Sequence, residues 1–361
     1  RNARNCFVRL ARSRALAADI IVANHSVVFS EMGLENVVLP PYRRIIFDEA
    51  HNVENVATEH FARRFSPLKV YPVLNRLNRS RRDGTGVGLL SSLRYHLSRA
   101  NEAVPPSVAS GLNSQVEPIL RSMEALAARV QDLAAEVAGL FGNLQDTRAR
   151  FTAENRPRGW DNVVAAAGRA AEPLDALTRQ IKDLIAALTA LGQGMPEAQD
   201  LIAELTSIAA SLETLASNLP FCLEAEDPGY VYWAEHDASR RMDHALCAAP
   251  LEIRSVMTAN FYDRMRTIIF SSATLCVGDK FDFMRERLGL VGVPPDRLRE
   301  INVGTSFDFP SQCLLGVINF LPDPREAEAF TRGFCETAIE VLTATRGRGL
   351  VLFTSHRMLR Q

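Results

Sequence analysis

The chain has 361 residues, enough for two or three domains and a well-buried core. It is 47% hydrophobic and 23% charged, an ordinary globular balance. A formal net charge of −1 excludes a global positive field, so any grip on a polyanion has to come from local patches or backbone contacts.

Lysine occurs only at Lys69, Lys182 and Lys280, and arginine carries almost all the positive charge. Genomic composition bias explains this, and phosphate binding also suits arginine. The six cysteines, Cys6, Cys222, Cys247, Cys276, Cys313 and Cys335, form no Cys-x-x-Cys pair, which excludes a self-contained zinc ribbon or redox motif. With no signal peptide, a reduced cytoplasm is the expected compartment. No apolar run is long enough to span a bilayer. The chain starts at Arg1 rather than Met, so a section of a longer polypeptide is expected.

In chain order, Ile20-Ile21-Val22-Ala23 and Ile45-Ile46-Phe47 read as buried parallel strands, each short, β-branched and followed at once by polar residues. Asp83, Gly84, Gly86 and Gly88 mark a loop, and Pro105-Pro106 another break. Three long segments then repeat apolar residues at alternating four- and three-residue spacing. They run from Leu112 to Leu144, from Leu174 to Leu191, and from Leu201 to Leu219. Such spacing keeps one seam on one helix face. Ser114 and Glu117 suit a capping box for the first of them, with Pro118 in its first turn or at a kink. Gly192, Gly194 and Pro196 make a tight break that favours antiparallel neighbours. The segment reads as a helical bundle or arm inserted into an α/β domain, or as an independent coiled-coil spacer. Val231-Tyr232-Trp233-Ala234-Glu235 reads as a strand. Ile268-Ile269-Phe270 is a third buried parallel strand. Residues 304–361 look like the start of another α/β unit, with Leu350-Val351-Leu352-Phe353 as its strand.

The strongest local signal is Ile45-Ile46-Phe47-Asp48-Glu49-Ala50-His51. A strand delivers two adjacent carboxylates and a histidine to its carboxyl end, where open α/β sheets bind ligands. Phosphoryl-transfer motors need this chemistry. Asp48 is assigned to Mg²⁺, and Glu49 to orienting and deprotonating water, with Glu49 also near the metal. An Asp-Glu pair also suits the first turn of a helix. The second signal, Ser271-Ser272-Ala273-Thr274, follows the Ile268 strand with small hydroxyl residues that can hydrogen-bond a neighbour without crowding it.

Taken together these motifs resemble those of the DinG/XPD branch of superfamily 2 helicases, on the bacterial DinG side. Asp48-Glu49-Ala50-His51 resembles motif II, Ser272-Ala273-Thr274 motif III, and Gly349 to Ser355 motif IV. The inserted helical segment is similar in position to the arch domain of that branch. Cys6-Phe7, Arg12 and Ala18 to His25 resemble the stretch before motif II. The fold implied is α/β: a RecA-like motor domain with a parallel sheet, an inserted all-helical arch domain and the start of a second RecA-like domain. The implied boundaries are 1–66 for the first motor segment, 67–229 for the arch, 230–303 for the return and 304–361 for the second motor domain.

The resemblance implies that Glu49 activates water, Asp48 holds Mg²⁺, and His51 couples the nucleotide site to Ser272 and Thr274. It implies that Cys6 is the last of four thiolates of a [4Fe–4S] cluster in cluster-bearing members; a free buried thiol is the alternative. His25, Thr354 and Ser355 are candidate DNA contacts, while Asn24 and His25 also read as a satisfied pair capping a strand end. Tyr232 and Trp233 could stack a base, or pack in the core. The implied activity is ATP-driven 5′→3′ translocation on single-stranded or forked DNA by a monomer, with a part in DNA repair. A DEAH-type RNA helicase, and a non-enzymatic coiled-coil protein with a vestigial motor site, are the rivals. None of the three lysines sits in a Gly-Lys-Ser or Gly-Lys-Thr loop, so Walker A is missing, as are motifs V and VI. The fragment alone is therefore expected to be inactive.

Overall fold

A computed structural model describes residues 7–31, 39–80, 86–99, 104–141, 148–191, 198–236, 243–353 and 356–360. Cys6, Thr354 and Ser355 lie outside the described residues. Two compact units divide the chain, residues 1–300 and 301–361.

The first unit opens with helices α1 (Phe7–Leu16) and α2 (His25–Glu31), strand β1 (Arg44–Asp48), a single 3₁₀ turn (Ala50–Asn52) and α3 (Val53–Phe61). Then follow β2 (Arg63–Phe65), α4 (Pro67–Leu77), β3 (Arg79–Ser80), β4 (Gly86–Val87) and α5 (Leu89–Arg99). Three long helices, α6 (Pro106–Gly139), α7 (Trp160–Ala190) and α8 (Ala198–Glu224), are interrupted by β5 (Arg148–Phe151) between the first two. Strands β6 (Tyr230–His236) and β7 (His244–Pro250), helix α9 (Arg254–Met257) with a π turn (Thr258–Tyr262), β8 (Thr267–Ser271) and α10 (Asp282–Arg287) complete it.

β1 and β8 pair in parallel, with Ile45 opposite Ile268, Phe47 opposite Phe270 and Asp48 opposite Ser271. One face of this pair is a core. Phe47 stacks on Phe270 at 5.4 Å and meets Phe261 edge-on at 5.6 Å, backed by Phe29, Val53, Met257 and Leu288. The expectation of burial on both faces is corrected, because Ile46 and Ile269 on the other face are 67% and 47% exposed. Ile20-Ile21-Val22-Ala23 is likewise not a strand: it is irregular chain that starts in a bend, with Ile20 and Val22 on the surface. A strand exists through its ladder to a neighbour, and none lies beside this run among the described residues.

Within the described residues the helical seams are as their spacing implies; Leu144, Gly192, Gly194 and Pro196 lie outside them. Val116, Ile119, Leu126 and Val130 of α6, Leu177, Ile181, Leu184 and Leu188 of α7, and Leu205, Ile208 and Leu212 of α8 are at most 2% exposed and share one core. Each contributes roughly 1.5–3 kcal/mol. α7 packs against both α6 and α8. α6 starts eight residues before the expected capping box, at Pro106. Ser114 bonds the Gly111 carbonyl and Glu117 pairs with Arg94, so no box forms and Pro118 sits inside the helix. The two prolines at 105 and 106 provide the start instead, since Pro is pre-set for the first helical turn.

The inserted segment is not all-helical. A four-stranded antiparallel sheet, ordered β2-β7-β6-β5, closes the helical core, with Phe65, Leu246, Tyr232 and Phe151 buried beneath it. The chain therefore does not return to the parallel pair at residue 230: β6 and β7 belong to the sheet of the insertion, and the parallel partner arrives only at Thr267.

The second unit contains α11 (Phe309–Gln312), α12 (Ala327–Ala344) and α13 (His356–Arg360). Leu350–Phe353 is irregular and mostly exposed, without a ladder partner among the described residues, so the strand expected there is not formed. Among the described residues, no helix is long and apolar enough to cross a membrane.

Candidate functional site

The parallel register ends with Asp48 beside Ser271, so the two chemistry-bearing turns leave the sheet side by side. After Asp48 the chain turns sharply. Glu49 takes a left-handed conformation (φ 49°, ψ 47°), which for a residue with a Cβ costs of order 1–3 kcal/mol. Its carbonyl then accepts the Asn52 amide at 3.0 Å, closing the 3₁₀ turn that holds His51. Asp48, Glu49 and His51 are all exposed at this edge.

His51 Nδ1 lies 2.7 Å from Ser272 Oγ and 3.4 Å from Glu49 Oε2. The Thr274 amide donates to Ser272 Oγ at 3.4 Å. Four of the sequence-selected residues, Glu49, His51, Ser272 and Thr274, thus form one chain of contacts, with Asp48 next to it on β1. An ionised Glu49 favours the proton on Nδ1, so that His51 donates toward Ser272 Oγ and the carboxylate together. Glu54, in the first turn of α3, pairs with Arg287 of α10 at 3.0 Å and ties the two flanks of the site together.

His25 does not cap a strand. Asn24 Oδ1 accepts the Val27 amide at 2.8 Å and caps α2, and His25 begins that helix. The His25 ring packs edge-on against Phe47 at 5.6 Å, directly behind the acid pair. A [4Fe–4S] cluster needs three thiolates besides Cys6. Cys222 and Cys247 are buried, and burial pushes both thiols up to about 12. Among the described residues, no three histidine, cysteine or acidic side chains assemble into a metal site. Cys6 lies outside the described residues, and the cysteines within them supply no set of cluster ligands.

Sequence reading missed a second polar assembly on the sheet of the insertion. Arg64 of β2 donates to Glu235 of β6 at 3.0 Å and to Asp243 at 2.6 Å, while Trp233 Nε1 and Arg148 reach the other Glu235 oxygen at 2.8 and 3.3 Å. Burial opposes the Arg64 charge, but Cys247, Glu235 and Asp243 outweigh it and raise its pKa. Burial also works against ionisation of Glu235, yet Trp233, Arg64 and Arg148 hold it below the usual carboxylate range. Arg64 and Glu235 are 171 residues apart, and no local pattern joins them.

A parallel strand pair thus presents an acid pair, a histidine and small hydroxyls at its carboxyl edge, the edge at which open α/β sheets bind ligands. No protein-family model matches the chain. It is 25% identical over 364 residues to the ATP-dependent DNA helicase YoaA of Haemophilus influenzae, covering 99% of this chain and 48% of that protein. It is 25% identical over 361 residues to the 3′-5′ exonuclease DinG of Bacillus subtilis, covering 98% of this chain and 38% of the relative. It is 26% identical over 358 residues to the ATP-dependent helicase DinG of Mycobacterium tuberculosis, covering 98% and 45%. The chain spans about half or less of the length of these relatives. The chain is thus distantly similar, over nearly its whole length, to proteins named as DinG- and YoaA-type ATP-dependent helicases.

Proposed function

We propose that this chain is the central section of an ATP-dependent DNA helicase that couples Mg–ATP hydrolysis to 5′→3′ movement on single-stranded DNA. The observation that carries the reading is the contact chain from Glu49 through His51 to Ser272, at the carboxyl ends of two parallel strands. The names of the relatives support the class of activity.

In this reading Mg–ATP is the substrate. Asp48, at the end of β1, is the carboxylate for the hydrated Mg²⁺, which prefers oxygen ligands. Glu49, thrown off the strand axis by its left-handed turn, orients the attacking water and accepts its proton. His51 senses the charge on Glu49 through one nitrogen and passes that state to Ser272, hence to the turn after β8. Catalysis is then positioning plus electrostatics, with the acid pair on a rigid strand end. Residues 1–62 and 251–303 belong to the first motor domain, 63–250 to the inserted arm with its own sheet, and 304–361 to the beginning of the second motor domain.

The test is ATP hydrolysis by the intact polypeptide with and without single-stranded DNA, beside Glu49→Gln. DNA-stimulated turnover that the variant loses while still binding ATP supports the motor reading. Equal turnover in the variant removes it.

A further inference from the structure

The four-stranded sheet of the insertion has two unlike faces. Side chains alternate along each strand, so Phe65, Tyr232, Leu246 and Phe151 point into the helical core. Their neighbours Arg64, Trp233, Cys247 and Arg150 form one cross-strand row on the other face. Arg148 and Glu235 form the next row on that same face. This face opens into a cleft of about 690 Å³ bounded by α3, α4 and α8, to which Arg63 and Lys69 also contribute.

We propose that this cleft and the adjoining sheet face bind a single strand of nucleic acid through its phosphates, a placement that rests on the helicase reading above. Charge pairing argues for an anionic occupant. Glu235 and Asp243 are already met by Arg64 and Arg148. Arg63 lies over the Phe221 ring at 3.8 Å. Arg63, Lys69 and Arg150 have no carboxylate within ion-pair distance among the described residues. Against them the cleft offers one further carboxylate, Glu59, at the end of α3. A chain of net charge −1 thus concentrates unneutralised cations on one face.

The geometry selects a strand rather than a lone anion. Arg148 and Arg150 stand two residues apart on β5, about 6.8 Å, close to the repeat of an extended phosphodiester backbone. Trp233 lies opposite Arg150 and is half-buried, its indole N–H fixed on Glu235 and its ring 5.6 Å from the Arg148 guanidinium. An anchored indole flanked by guanidinium groups is a platform for a base, while the arginines take the phosphates. Arginine suits this role because its planar donors match phosphate oxygens.

Fluorescence anisotropy of a labelled oligo(dT), titrated with the intact polypeptide at several salt concentrations, tests this. Lys69→Gln/Arg150→Gln removes two exposed cations that hold no structural pair. The expected result is about tenfold weaker binding, with the slope of log affinity against log salt reduced by about 1.4. ATP turnover without DNA stays unchanged. Trp233→Phe, which keeps a ring but loses the anchor, weakens binding without altering the salt slope. Unchanged affinity and slope in the double variant overturn the proposal. Inorganic phosphate at millimolar concentration displacing the oligonucleotide, with no gain in affinity from four to twelve nucleotides, reduces the cleft to a single-anion site and also overturns it. The helicase reading fails separately, on Glu49→Gln turnover, which leaves the anisotropy result to judge the cleft alone.

Discussion

His51 Nδ1 lies 2.7 Å from Ser272 Oγ, although the two residues are 221 positions apart in sequence. The same nitrogen is 3.4 Å from Glu49 Oε2, so one imidazole reaches both Glu49 and the turn after β8. The parallel register of β1 and β8 brings them together: Asp48 opposite Ser271 leaves His51 and Ser272 as near neighbours just past the sheet edge.

If Glu49 handles the water, Glu49→Gln in the intact polypeptide lowers turnover by about 10²–10⁴-fold. ATP binding, measured by equilibrium titration, is retained because Asp48 is untouched. A turnover within twofold of wild type rules out the assigned role.

If His51 relays the state of Glu49, His51→Ala and Ser272→Ala damage the same step. Each lowers DNA-stimulated turnover more than it raises KM for ATP. The double variant is little worse than either single one, and the cycle gives a coupling of about 0.5–3 kcal/mol. Strict additivity would mean that the contact carries no coupling.

The helical core makes a stability prediction. Leu184 of α7 is fully buried in the seam, so Leu184→Ala costs about 2–5 kcal/mol and moves the urea midpoint down. Leu68, at 41% exposure on α4, is the control, with a change within about 0.5 kcal/mol on truncation to Ala.

A pH dependence follows from the end of the β6–β7 hairpin. His236 and His244 are stacked at 4.7 Å, with Nδ1 atoms 3.3 Å apart and Phe141 at 6.0 Å. Burial first, then His236, lower the His244 pKa, with Asp243 opposing. Burial lowers His60 as well. The unfolded chain therefore takes up more protons as pH drops below the ordinary histidine value of about 6.5. Stability from these groups is complete above that value and is lost as pH falls through the folded values. The urea midpoint should be lower at pH 5.5 than at pH 7.5, and His244→Gln should shrink that difference; an unchanged difference counts against the pair.

Much of the candidate site is legible in the sequence because its signals are local. Asp48, Glu49 and His51 follow β1 at once, and Ser272 and Thr274 follow β8 at once, so composition and order were enough to select them. The seams were legible for the same reason, since a repeat of three and four residues places apolar side chains on one face whatever surrounds them. Asn24 was misread because a strand end and a helix start call for the same residue, and only the Val27 amide decides which it is.

The sequence by itself determined the period of each long helix and which polar residues follow the Ile45 and Ile268 runs, because these depend on neighbours within a few positions. Only the tertiary structure decided that the insertion carries its own sheet, that residues 230–250 belong to it, and that Arg64, Arg148, Trp233 and Glu235 meet on one face. Strand pairing and charge pairing join residues far apart in the chain, and burial of a β run depends on whether another strand lies beside it. Ile20–Ala23 and Leu350–Phe353 have the composition of strands and no ladder among the described residues, while β5, short and arginine-rich, has one.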